Sequence, residues 1–99
     1  MSRRREVRVT DSFFAEVDNQ FGLERGPAGE PSATDFIVVD LPAIVEQFAS
    51  AFDELPEATD AIPSMRMFIG SGTLAIAFVV HGIEMQKGVI HLIGIEVDP

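Results

Sequence analysis

The chain has 99 residues, 46% hydrophobic and 23% charged, a composition for one small globular domain and not for a disordered segment. It has no cysteine, which excludes disulfides and thiolate metal sites, and no apolar run reaches the roughly 18–20 residues that a membrane-crossing helix needs. The net charge is −9 and unevenly spread: Arg3, Arg4, Arg5 and Arg8 sit at the start, while fifteen of the sixteen acids follow Val9, so the body repels a phosphate backbone.

Residues 1–6 read as a basic, solvent-facing tail, the one place suited to nucleic acid or an acidic partner. No apolar stretch follows them, so they do not form a secretory leader, and a cytoplasmic location is expected. In residues 6–10, Val7 and Val9 alternate with charged neighbours, which predicts a short edge strand with one buried face. Thr10 or Asp11 can cap a helix starting at Ser12. Phe13, Phe14, Val17 and Phe21 share one face of it, Glu16, Asp18 and Gln20 point away, and Gly22 ends it.

Residues 23–33 form a Gly/Pro-rich loop, long for a helix–helix connection. Ser32 and Asp35 have the spacing of a capping box. Ile37, Leu41, Ile44, Val45, Phe48, Phe52 and Leu55 then recur at helical spacing up to Pro56. Pro42 interrupts them, so the second helix either kinks over residues 38–41 or starts afresh with Asp40 as cap.

From residue 65 the period changes from 3.6 to 2. Residues 65–70, 74–81 and 88–97 predict three antiparallel strands in a meander, joined by turns at Gly70-Ser71-Gly72 and at Gly82 and Gly88. In the middle strand Leu74, Ile76, Phe78 and Val80 should pack on the helices, with Phe48, Phe52, Ile76 and Phe78 at the centre of the core. Ala75, Ala77, Val79 and His81 take the other face. The last strand is apolar on both faces, and two helices cover only one side of a small sheet. A second copy or another protein is therefore the expected cover of the far side.

Few residues carry chemistry. His81 and His91 with Glu84 could gather at a metal or ligand site if the last two strands pair in the right register, placing the histidines diagonally and roughly 7–8 Å apart. Their spacing matches no metal signature, so no metal or other cofactor is expected. Ser71 lies between turn glycines joining two strands, not at the strand-to-helix elbow a nucleophilic serine needs. Asp53, Glu54 and Glu57 make an acidic patch at a helix end. Arg66, the one basic residue between Arg25 and Lys87, is expected to pair with an acid or to contact an anion or partner.

The order strand, helix, helix, three-stranded meander resembles the RelE/ParE toxin-like family. The stretch 64–70, with Arg66, is similar to that family's first meander strand, and residues 73–80 and 89–97 are similar to the two strands that follow. The resemblance implies an α+β fold and a toxin–antitoxin type of partnership. The arginine and tyrosine often found on the family's second meander strand are replaced here by alanine, isoleucine and valine. Arg66, His81 and His91 are the only groups left for RNA cleavage, so the fold and the partnership carry over and the nuclease mechanism does not. The expected contact surface is Arg66, Ala75, Ala77, Val79 and His81, meeting an antitoxin-like protein or a second copy. Other readings are a small enzyme or ligand-binding domain using His81 and His91, and a phage or regulatory interaction module.

Overall fold

A computed structural model describes residues 4–22, 24–29, 31–73, 77–86 and 88–98. In chain order it places β1 (Glu6–Val9), α1 (Asp11–Phe21), α2 (Ala33–Val39), α3 (Leu41–Ala51), a 3-10 turn (Phe52–Glu54), β2 (Met65–Gly70), β3 (Ala77–Gln86) and β4 (Val89–Asp98). The fold is α+β, as expected. None of the described helices is long and apolar enough to cross a membrane.

Local chemistry sets the helix boundaries. Thr10 caps α1 by accepting from the Phe13 N–H at 3.2 Å, and the Gly22 N–H closes the far end on the Asp18 carbonyl at 2.9 Å. At α2 the capping box forms: the Ser32 hydroxyl accepts from the Asp35 N–H at 3.2 Å, and the Asp35 carboxylate accepts from the Ser32 N–H at 3.0 Å.

The described residues form three α-helices, where the expected second helix is divided in two at Pro42. Of the two outcomes expected at Pro42 the fresh start occurs: α2 stops at Val39, and α3 begins at Leu41 with the proline in its first turn. Asp40 occupies the cap position, but its carboxylate does not cap α3. It is 4% exposed and accepts from the Thr73 N–H at 2.7 Å, tying the connection after β2 to the helix junction. The α-helix ends at Ala51 and the 3-10 turn carries the chain to Leu55, just short of Pro56.

The short strand expected at residues 6–10 forms and joins the meander in one sheet among the described residues. The sheet has four strands in the order β1-β4-β3-β2, with β1 parallel to β4 and the other pairs antiparallel. The described part of β3 runs on to Gln86, five residues past the expected end at His81. All the helices lie on one side. Phe13 and Val17 of α1, Phe36 of α2, and Ile44 and Phe48 of α3 are buried against Phe78 and Val80 of β3 and Ile90, Leu92 and Ile95 of β4. Phe48, Phe52 and Phe78 are core residues as expected, and Ile76 lies outside the described residues. Gly82 allows the close approach of α3: a Cβ there would stand 2.5 Å from the Phe48 ring.

Candidate interaction face

The period-2 alternation of β3 separates two surfaces. Phe78, Val80 and Gly82 are buried under the helices, while Ala77, Val79, His81 and Ile83 point the other way. Strand register extends that second surface. Met65 lies opposite Ile83, Met67 opposite His81 and Ile69 opposite Val79 on β2, and His91, Gly94 and Glu96 lie opposite Ile83, His81 and Val79 on β4. Ile69 is 60% exposed. Among the described residues no helix covers this face, which is apolar across its centre. Of the expected contact residues, Ala77, Val79 and His81 are on it, and Ala75 lies outside the described residues.

Both histidines reach this face. The register skips Ile93 between the pairs His81–Gly94 and Gly82–Leu92, which sets His91 opposite Ile83, diagonal to His81. Glu84 does not join them. It lies on the helix side, paired in register with buried Ile90, and its carboxylate accepts from Arg5 Nε at 3.1 Å and from the Gly88 N–H at 2.9 Å. No three His, Asp or Glu side chains converge as a metal site among the described residues.

Arg66 faces away from the expected contact surface. Its register partner is Gly82, on the helix side. Its Nη1 donates to the Leu55 carbonyl at 2.7 Å and the Asp53 carbonyl at 3.2 Å, and its guanidinium lies 5.7 Å from the centre of the Phe52 ring. The arginine thus closes the carbonyls left open at the end of the helical segment, in place of the ion pair or anion contact expected of it. It does not meet His81 or His91.

The N-terminal arginines are also engaged. Arg4 pairs with Glu46 at 2.7 Å, and Arg8 pairs with Glu6. Arg5 donates its backbone N–H to Ala49 at 2.7 Å and its Nη2 to both carboxylate oxygens of Asp53 at 2.8 and 3.0 Å. Its side chain is 14% exposed and sits 5.3 Å from the centre of the Phe52 ring. The reading of residues 1–6 as a solvent-facing tail therefore fails at Arg5, which joins the start of β1 to the end of α3. Arg3 lies outside the described residues.

Two clefts share Glu96, one at the uncovered face and one at the free edge of β4, where α1 runs beside the strand beyond the end of β1. One, of about 240 Å³, is apolar and lies by Ile69, Ala77 and Val79 of the uncovered face, bordered by Phe78 and its register partner Val97 of the helix side. The other, also about 240 Å³, lies between Glu16 of α1 and Glu96 of β4, over Gly94 and beside His81. Periodicity turns Glu16 towards solvent, and in the sequence Glu96 stands out only as the acidic end of an otherwise apolar strand.

Gln20 was missed as well. Periodicity turns it away from the core, yet its side-chain amide donates to the Ile95 carbonyl and accepts from the Val97 N–H, both at 2.6 Å. The sequence held no local clue, because the free end of β4 exists only once β1 pairs with the start of that strand. Comparison with known protein families, with characterised proteins and with solved structures finds no match to this chain.

Proposed function

We propose that this is a RelE/ParE-type toxin-like protein that acts by binding another protein through the uncovered face of its sheet. The observation that carries the reading is that face itself. Methionine, isoleucine and valine side chains of β2 and β3 stand on it with no helix over them among the described residues, and leaving such a surface wet is costly. The element order supports the family part of the reading: an initial strand, helices, and a meander of three antiparallel strands. Fold alone does not establish activity, so the binding role rests on the face and not on the resemblance.

The reading excludes RNA cleavage as the working activity. Such cleavage needs groups that position phosphate and move a proton at one place. Arg66 lies across the sheet from His81 and His91, and the two histidines sit among apolar neighbours on a strongly acidic protein.

Sedimentation tests the role, with the chain alone at micromolar concentration and co-expressed with the products of adjacent genes. The expected result is an assembly in at least one arm that Val79→Asp dissolves while the variant melts like the parent. A monomer in both arms, unaffected by the substitution, would overturn the reading.

A further inference from the structure

We propose that the partner seated on this face is a protein segment carrying an arginine or lysine beside an aliphatic or aromatic residue. The cation lies at the free edge of β4, between Glu16 and Glu96 beside Gly94, and its apolar neighbour enters the adjoining cleft at Ile69, Ala77 and Val79. This rests on the binding role proposed above and adds the chemistry of the occupant.

Charge selects the occupant. The protein carries −9, and its described arginines are engaged elsewhere: Arg4, Arg5, Arg8 and Arg25 with carboxylates, and Arg66 with backbone carbonyls. Among the described residues no cation answers Glu16 or Glu96. Both border the same cleft, and Glu96 also borders the apolar one. A second copy would bring a further nine negative charges to the face, and like charges opposed across a sheet or interface are destabilising. A cationic segment removes that repulsion and draws its attraction from two carboxylates at once. An apolar anchor next to a charge is the chemistry these adjoining clefts accept.

Gly94 provides the opening. A Cβ built there meets no atom within 4 Å, and the backbone is not in the left-handed region. The space above it is therefore free for a partner's side chain. A larger residue at this position fills the cleft without crowding the core, which gives a blocking variant that keeps the fold.

The test uses the full chain as bait for a displayed library of short random peptides, followed by affinity measurements on the enriched sequences. The expected enrichment is for arginine or lysine next to leucine, valine or phenylalanine. Affinity should fall about tenfold in Glu16→Gln/Glu96→Gln and weaken with added salt, the size expected for a partly desolvated charge contact. Gly94→Leu should abolish binding and melt as the parent does. Glu24→Gln and Glu57→Gln, exposed acids away from the clefts, should bind like the parent.

Equal loss in those two controls would show general attraction to an acidic protein and overturn the proposal. Enrichment of uncharged or acidic peptides, blocked by Gly94→Leu, would also overturn it while leaving the binding role of the face intact. A self-associated parent dissolved by Val79→Asp, with no cationic enrichment, would make a second copy the occupant and do the same. No enrichment and no assembly sensitive to Val79→Asp would remove both readings together.

Discussion

At the scale of single residues, Gln20 acts as a fragment of strand. Four-residue β1 ends beside Leu92, and the ten-residue β4 continues past it. The exposed edge groups beyond that point still require partners. Thr10 takes the Leu92 carbonyl through both its N–H, at 3.2 Å, and its hydroxyl, at 2.7 Å, and the Gln20 amide takes Ile95 and Val97. Gln20→Ala leaves one carbonyl and one N–H unanswered, so we expect a loss of about 1–3 kcal/mol. Urea melts showing less than a few tenths would mean that water replaces the amide freely. Gly82 is a second sensitive position. Gly82→Ala drives a methyl group into the Phe48 ring, and overpacking of this kind costs about 1–3 kcal/mol. A crystal structure of that variant should show α3 displaced from the sheet; an unmoved helix with parental stability would refute the account.

At the scale of elements, the start of α2 is an electrostatic lock. Arg25 Nε and Nη2 donate to the two oxygens of Asp35, at 2.8 and 2.9 Å, while the same carboxylate closes the capping box with Ser32. The Arg25 hydrogen bonds, then the Ser32 N–H, hold the Asp35 carboxyl well below the usual carboxylate range. The unfolded chain therefore binds its proton first as the solution is acidified. The stability contributed by Asp35 is complete above the ordinary aspartate value, about 3.9, and drains away as pH falls from there towards the lower folded value. Asp35→Asn should flatten the acid limb of a stability–pH curve between about pH 5 and pH 2. An acid limb identical to the parent's would show that other carboxylates control it. The box was legible from Ser32 and Asp35 alone, because both partners lie within one helical turn. The role of Arg25 was not, because it acts from the loop that precedes the cap.

At the scale of the whole molecule, one layer of helices covers one face of a four-stranded sheet, and every long-range reading depends on which face a side chain occupies. Phe78, buried between the layers, should cost about 3–5 kcal/mol when truncated to alanine, a large share of the roughly 5–15 kcal/mol that holds a small domain together. Denaturation that shows a loss below about 1 kcal/mol would mean that the layers do not pack through Phe78. Arg66 separates a structural role from a catalytic one. We expect Arg66→Ala to lower thermal stability, because it frees the Leu55 and Asp53 carbonyls, and we expect the parent not to cleave ribosome-bound messenger RNA. Specific cleavage by the parent, lost in Arg66→Ala or His91→Ala while the fold persists, would restore an enzymatic function.

The sequence by itself determined the α+β class, the cap at Ser32, the cap at Thr10 and the restart at Pro42 each as one of two outcomes, and the buried and open faces of β3. Each of these is written in residues a few positions apart, where period and capping geometry act directly. Only the tertiary structure decided that β1 joins β4 in parallel and that the β3–β4 register skips Ile93. It also decided that Arg66 turns to the helix side, and that Arg5 and Gln20 bind groups far along the chain. Those outcomes join residues separated by as many as 83 positions, from Glu6 to Val89. A single step of strand register moves a side chain from one face to the other, and nothing in the local pattern sets that step. The uncovered face was foreseen through Ala77, Val79 and His81. Its acidic border at Glu16 and Glu96 became visible only when α1 and the end of β4 were brought side by side.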